Sequence, residues 1–263
     1  MKGVRGGKLL DFGYYNMDCL EGMKEIDDKS IDMILCDLPY GTTNCSWDIV
    51  IPFDDLWKQY ERIIKDNGAI VLFGSQPFTS ILVTSNLKLF RYEWIYEKTQ
   101  PSGHLNAKKM PMKYHENVLV FYKKPPTYNP QKTTGHKRKV SRGQITTKSQ
   151  LGKSCYGVAE KGANYDSTER YPKSIQCFSN GLMKQKSIHP TQKPVELLEY
   201  FILTYTNEGE VVLDNCAGSC STGIACYNTK RNFIGFEKDK EIFQRGNERL
   251  KTEMAQMRIT DFI

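Results

Sequence analysis

The run Val211–Gly223, VVLDNCAGSCSTG, constrains the fold of this chain more than any other stretch. A short apolar strand ends on Asp214, a turn of small residues follows, and a helix starts at Ser221. A second strand, Asn232–Phe236, runs into Glu237, 23 residues after Asp214. Gly218, Ser219 and Ser221 let a ligand approach the backbone closely. An acidic residue about 20 positions past such a turn suits the two hydroxyls of a ribose. A dinucleotide fingerprint would read GxGxxG, but only Gly218 is present early and Cys220 stands where a second glycine would be. An adenosine ligand without a pyrophosphate therefore fits better than a nicotinamide dinucleotide. The alternative at this point is an ordinary βαβ turn packed for structure.

The same alternation runs through most of the chain. Tyr14–Asp18, Ile31–Cys36, Ala69–Phe73, Arg91–Glu97, Val118–Tyr122 and Glu210–Leu213 read as strands. Phe53–Lys65 has apolar residues at 53, 56, 57, 60, 63 and 64, a helical period, with Asn67-Gly68 as its stop. Pro194–Tyr205, Ser221–Thr229 and Lys238–Gln256 read as further helices. Strands alternating with helices predict an α/β fold, a mostly parallel sheet covered on both faces. The texture divides the chain into 1–124, 125–187 and 188–263. The middle part opens on Pro125-Pro126, is rich in Lys, Thr, Ser and Gly, and has no sustained period. We read it as an insertion in a single domain of 263 residues.

That insertion also concentrates the charge. From Asn117 to Ala159 there is no Asp or Glu, but nine Lys or Arg: Lys123, Lys124, Lys132, Lys137, Arg138, Lys139, Arg142, Lys148 and Lys153. The whole chain carries +7, so everything outside this stretch sums to −2. Such a patch is the footprint of a polyanion partner or, more blandly, a solvated loop. Other classes are disfavoured. Apolar runs such as Ala69–Gly74 fall far short of the roughly 20 residues that span a bilayer. The opening MKGVRGG is no signal peptide. The eight cysteines include no CxxC pair, so free thiols in a reducing cytosol are expected, with no zinc ribbon and no other metal.

A second strand end carries chemistry. Ile31–Gly41, IDMILCDLPYG, is an apolar strand running into Asp37-Leu38-Pro39-Tyr40. In a doubly wound sheet, ligands sit beyond the carboxyl ends of the strands, so Asp37 and Tyr40 fall on the functional edge. A carboxylate beside a rigid Pro and an aromatic suits a flat base with an exocyclic amine: the acid accepts from the amine and the ring stacks on the base. An Asp-x-Pro turn that merely closes a strand is the competing account.

Taken together, these residues match a known family. Asp37-Leu38-Pro39-Tyr40 resembles the [D/N/S]-P-P-[Y/F/W] motif of DNA amino-methyltransferases that use S-adenosylmethionine. Asp214–Cys220 resembles their D-P-F-x-G-x-G cofactor motif, and Ile188–Pro194 (IHPTQKP) their H-P-T-Q-K-P segment. Asn16–Leu20 is similar to the segment whose Asp approaches the cofactor's adenine. Leu72–Phe78 and Tyr114–Lys124 look like family members too, particularly phage or prophage ones. Catalytic motif first, basic insertion next and cofactor motif last is the family's β arrangement, a permuted Rossmann-like methyltransferase fold with the insertion at its target-recognition region. Leu38 replaces the usual first proline and Cys220 a glycine.

The resemblance implies roles. Asp37 and the Leu38 carbonyl would accept from the target amine, with Pro39 stiffening the turn and Tyr40 stacking on a flipped base of double-stranded DNA. Asp18 and Cys19 would flank the cofactor adenine, Glu237 its ribose, and Asp214, Cys216, Gly218, Ser219 and Thr222 would form its turn, with Asp37 also counted among the residues around the cofactor. Lys193 would meet the methionine carboxylate, or else is a solvated lysine at a helix start. Lys132, Lys137, Arg138, Lys139, Arg142 and Lys148 would contact phosphates. Cys36 would only pack, because direct displacement needs no thiol nucleophile. An Asp-initiated motif favours adenine N6. Cytosine N4, an RNA substrate, a non-catalytic DNA-binding relic and a dehydrogenase are the other readings. A homodimer, a cognate restriction endonuclease and the cytoplasm of a bacterial or phage-infected cell complete what the resemblance implies.

Overall fold

The computed structural model describes residues 12–43, 45, 48–141, 164–180 and 192–260. They form two compact units, 1–129 with 174–263 and 130–173. In the larger unit the elements follow in the order β1 (Phe12–Asn16), α1 (Cys19–Lys24), β2 (Ile31–Cys36), α2 (Phe53–Ile63), β3 (Ile64–Gly74), α3 (Phe78–Ser85), β4 (Phe90–Ser102) and β5 (Lys113–Phe121). The smaller unit holds β6 (Lys139–Ser141) and β7 (Tyr165–Ser167). The chain then returns to the larger unit with β8 (Ile175–Phe178), α4 (Val195–Tyr205), β9 (Val211–Asp214), α5 (Ser221–Asn228), β10 (Asn232–Glu237) and α6 (Lys240–Thr260).

One eight-stranded sheet runs β1-β10-β9-β2-β3-β5-β4-β8. β5 pairs antiparallel with both β3 and β4, and every other neighbouring pair is parallel. The expected parallel α/β architecture is what forms. The period of two along each strand sorts side chains into two layers. Met33, Leu35, Ala69, Val71, Phe73, Val118, Val120, Val212 and Phe233 enter one core, covered by α4, α5 and Leu250 of α6. Ile34, Cys36, Ile70, Leu72, Leu119, Phe121, Leu213 and Phe236 enter the other, covered by Met23 of α1, by α2 and by α3. Arg62 of α2 donates to the Met23 and Ile26 carbonyls at 2.6 and 2.7 Å, satisfying carbonyls at the end of α1. No helix among the described residues is long and apolar enough to cross a membrane.

Several elements differ from their sequence reading. Asp18 is not in a strand; its carboxylate accepts the Leu20 N–H at 2.9 Å and caps α1. The helix from Phe53 stops at Ile63, and Asn67-Gly68 lies inside β3, where the register with β2 slips between Ile31 and Met33. Gly68 is needed there: a Cβ would stand 2.8 Å from the Asp32 carbonyl. Finally, 175–178 within the featureless stretch pairs with β4 as an edge strand of the main sheet.

Between β9 and β2 the chain reverses its direction of travel across the sheet. From β2 it moves outward through α2 to β3, and from β9 through α5 to β10 the other way. That reversal is the switch point at which doubly wound sheets open a crevice at their carboxyl edge.

In the smaller unit, β6 and β7 pair antiparallel and Thr133 bridges Arg170. Arg138 grips Asp166 with two bonds, at 2.7 and 2.5 Å, and Lys132 pairs with Glu169 at 2.9 Å. Two cations of the acid-free run, Lys132 and Arg138, therefore find counter-charges just beyond its end, a pairing that run-by-run charge counting misses. Both pairs are exposed and so contribute little to stability.

Candidate active site

A cavity of about 1160 Å³ opens at the switch point. Asp37, one residue beyond β2, and Asp214, the last residue of β9, both line it. Tyr40 donates its hydroxyl to Asp37 Oδ1 at 2.6 Å, and its ring stacks on Phe78 at 4.8 Å. Burial, and then the nearby Asp37 charge, push the Tyr40 hydroxyl far above its ordinary range, so it stays a donor. The loop beyond is fastened by Asp48, whose carboxylate accepts the Gly41, Thr42 and Thr43 N–H groups at 2.8, 2.9 and 2.7 Å. Burial opposes ionisation of Asp48, but these donors and the Thr43 hydroxyl outweigh it and hold its carboxyl below the usual range. Gly41 takes φ +67°, the left-handed region, where the chain turns toward this cap.

Lys193 is the surprise of the site. It is not a solvated helix-start residue: its side chain is only 10% exposed. It donates to Asp37 Oδ2 and lies 3.1 Å from Glu116 Oε2 on β5. Glu116 in turn meets Lys98 of β4 at 2.5 Å. Burial pushes the Glu116 carboxyl up, but Lys193 and Lys98 outweigh burial and hold it at about 2. Burial disfavours the Lys193 charge, and Asp37 and Glu116 more than restore it.

The other wall is the turn after β9. Asp214 accepts from the Cys216 N–H at 3.1 Å and the Thr222 hydroxyl at 2.5 Å, so it braces the turn from below. Full burial pushes its carboxyl up to about 6. Gly218 takes φ +49° and donates its N–H to Glu237 Oε2 at 3.1 Å; Glu237 Oε1 accepts from Asp239 at 2.7 Å. Burial raises Glu237 above its ordinary value. Cys220 sits at φ +58° as the N-cap of α5, a conformation that glycine would adopt without strain. The turn is backed by α6: a Cβ on Gly246 would meet the Gly218 carbonyl at 2.7 Å. Asp18 faces the same cavity, 3.1 Å from Lys238. Burial raises the Asp18 carboxyl, but Lys238 and the Leu20 N–H lower it further. Cys19 and Cys216 line the pocket, and burial pushes the thiol of the buried Cys36 up to about 12, which disfavours its thiolate.

Asp18, Cys19, Asp37, Leu38, Pro39, Tyr40, Lys193, Asp214, Cys216, Gly218, Ser219, Thr222 and Glu237 thus share one cavity. Lys132, Lys137, Arg138 and Lys139 belong to the smaller unit. Arg142, Lys148 and 188–191 lie outside the described residues. Glu116, Lys98 and Asp48 escaped the sequence reading. Glu116 lies inside Tyr114–Lys124, a stretch that drew notice only for its family likeness, and just outside the strand expected at Val118–Tyr122.

The cavity fits a cofactor built from an adenosine and a charged tail. It offers a small-residue turn open to close approach, acidic acceptors at the ends of β1 and β10, and apolar walls from Leu35, Phe73 and Phe236. Its chemistry points the same way as the comparisons with known proteins. A family model described as "DNA methylase" matches residues 31–248. The type II methyltransferase M.HpaI of Haemophilus parainfluenzae is 27% identical over 249 residues, covering 90% of this chain and 73% of that protein. The DNA adenine methyltransferase YhdJ of Escherichia coli K12 is 27% identical over 250 residues, covering 89% and 80%. Among solved structures, the M1.HpyAVI–SAM complex aligns with a TM-score of 0.62 at 24% identity, over 91% of this chain and 98% of that one. The cytosine-N4-specific PvuII DNA methyltransferase aligns with a TM-score of 0.65 at 15% identity, over 95% and 93%. These two share the fold.

Proposed function

This chain belongs to the DNA methylase family, and on that premise we propose that it methylates the exocyclic N6 of adenine in double-stranded DNA, with S-adenosylmethionine as the methyl donor. The observation that carries this reading is the meeting of Asp37 and Asp214 in one cavity at the β2–β9 switch point. One motif brings an acceptor carboxylate beside an aromatic ring. The other brings a small-residue turn with an acidic residue on the next strand. The Asp at the head of the first motif favours adenine over cytosine. The name of the adenine methyltransferase YhdJ agrees with that choice.

In this reading Glu237 holds the ribose, Asp18 and Cys19 flank the adenine, and Cys216, Gly218, Ser219 and Thr222 shape the turn around the ligand, with Asp214 bracing it. When bound, S-adenosylmethionine supplies an electrophilic methyl on a sulfonium. The rest is done by side chains of this chain. The target adenine leaves the duplex stack to reach the cavity, because its amine is otherwise engaged in pairing. Tyr40, held against Phe78, gives the base a platform. The Asp37 carboxylate and the Leu38 carbonyl accept the two amine hydrogens, which draws the nitrogen lone pair out of ring conjugation and toward the reacting methyl. Asp37 is also an acceptor for the proton the nitrogen sheds. The contribution is one of positioning and charge, and no covalent adduct with the base forms.

Lys132, Lys137, Arg138 and Lys139 would meet phosphates, with exposed ion pairs such as Arg138–Asp166 opening to do so. The smaller unit and the residues around it would then read the target site. Likeness to type II methyltransferases extends the reading to a partner endonuclease of matching specificity, to a homodimer, and to the cytoplasm of a bacterium or phage-infected cell.

The test is one reaction. The protein is incubated with methyl-labelled S-adenosylmethionine and unmethylated genomic DNA, which is then digested to nucleosides for mass spectrometry. Labelled N6-methyladenine is the expected product. Labelled N4-methylcytosine keeps the family and overturns the choice of base. Label on neither, with the cofactor bound, overturns the activity.

A further inference from the structure

Four ionisable side chains from four parts of the chain stand in a row beside the catalytic motif. They are Asp37 after β2, Lys193 before α4, Glu116 on β5 and Lys98 on β4. Their charges alternate in sign. Lys193, Glu116 and Lys98 are only 10, 12 and 15% exposed. Burying ions is costly, and a row like this is tolerated because each inner charge has an opposite charge on both sides. Register explains how the row forms: Tyr96 is opposite Glu116 across the β4–β5 ladder, which brings Lys98, two residues on, to the same face.

The arrangement bears on what Asp37 can do. A buried ammonium with a single carboxylate would draw it into a closed pair and spend its acceptor capacity on the cation. Lys193 has two carboxylates to serve. Its charge is therefore divided, and its position is set from the Glu116 side as well. Resting on the reading of Asp37 as the amine acceptor, we propose that Glu116 is a positioning residue for methyl transfer. It acts through Lys193, anchoring the ammonium so that Asp37 is held in place yet keeps an oxygen lone pair for the target amine.

Lys193 faces Asp37 and, through it, Tyr40; it also faces Glu116 and Tyr96, and lies over the Phe73 ring at 5.1 Å. Asp214 adds a more distant charge next to Asp37. Removing the Glu116 charge leaves two cations and one anion in the row. Lys193 then loses one of the two anions that favour its charged form, and its deprotonation moves to lower pH.

The experiment compares Glu116→Gln, Glu116→Asp and Lys98→Met in the full chain, each checked by thermal unfolding. The first readout is the Lys193 ammonium in lysine-¹⁵Nζ-labelled protein, assigned by its loss in Lys193→Arg and observed near neutral pH without DNA, where hydrogen exchange of its protons reports how firmly the ion pairs hold it. The second is single-turnover methylation, with the cofactor Kd measured separately. For Glu116→Gln, the ammonium protons should exchange faster than in wild type. The rate should drop about 10–100-fold, as expected for a misplaced catalytic group, while the cofactor Kd stays nearly unchanged. Glu116→Asp should restore slow exchange and part of the rate, and it decides the matter if Glu116→Gln does not fold. Lys98→Met keeps the Glu116–Lys193 pair, so its ammonium should stay slow to exchange. Exchange at Lys193 indifferent to both changes at Glu116, or a wild-type rate in Glu116→Gln, overturns the proposal. If wild-type protein methylates no base, the assignment of Asp37 as amine acceptor fails, and the exchange arm still shows whether Glu116 holds Lys193.

Discussion

Tyr14 on β1 donates its hydroxyl to the Gly218 carbonyl across 2.6 Å, tying the edge of the sheet to the turn after β9. Its ring also packs on Phe243 of α6 at 4.7 Å, so three elements meet at one tyrosine. Tyr14→Phe keeps the ring and removes only the bond. Losing one buried hydrogen bond costs about 1 kcal/mol. We expect that loss in urea unfolding, and a weaker affinity for S-adenosylmethionine by calorimetry, with the maximal methylation rate kept. An unchanged affinity would show that the turn needs no tether.

Asp214 gives the fold an unusual pH response. Its folded carboxyl lies at about 6, above the ordinary 3.8, because burial disfavours the charge. The folded state therefore binds this proton more tightly than the unfolded state does. That stability is fully present below about 3.8 and is lost as pH rises through about 6. The contribution is on the order of 2–3 kcal/mol. Asp214→Asn should flatten this window in chemical denaturation between pH 4 and 7, since an amide can still accept from Cys216 and donate to the Thr222 oxygen. Glu116 works in the opposite sense: held at about 2, it adds stability above 4.5 that is lost as pH falls through about 2.

Asp37→Ala separates chemistry from binding. It removes the acceptor and leaves the turn at Gly218 untouched. Methyl transfer should fall by about 10²–10⁴, the range for losing a positioned proton acceptor, while the cofactor still binds. Single-turnover assays beside calorimetry check both halves. A variant with the parental rate would sink the assignment of Asp37.

The basic unit makes a prediction about salt. Lys137 and Lys139 are exposed, whereas Lys132 and Arg138 hold Glu169 and Asp166. A lysine on a phosphate adds about 0.9 to the slope of log affinity against log salt. Lys137→Ala and Lys139→Ala should each reduce that slope by close to 1 in fluorescence anisotropy with duplex DNA. Lys132→Ala should reduce it less, because its ion pair must open first.

Much of this site was legible because strand ends announce themselves. Met33–Cys36 and Val211–Leu213 are apolar runs stopped by an aspartate, and the sheet can only place such stops at its carboxyl edge. Glu116 and Lys98 were not legible, since alone each reads as an ordinary polar residue on a strand. Their meaning depends on the antiparallel register of β4 and β5 and on Lys193 arriving from far along the chain. The resemblance directed Lys193 toward a cofactor carboxylate, whereas here two carboxylates of the protein itself hold it. Asn67-Gly68 misled for a different reason. It has the composition of a helix stop, but the slip between Ile31 and Met33 lets β3 absorb it.

The pairing of β2 with β9 joins Met33 to Val212. A ribosome making this chain releases the catalytic motif early and the turn around Gly218 late. Until β9 emerges, β2 has an open flank where its parallel neighbour belongs, and such long-range pairings close slowly. Asp37 is therefore translated long before it has a pocket to work in, and the nascent chain carries a bare strand edge that a chaperone would have reason to cover.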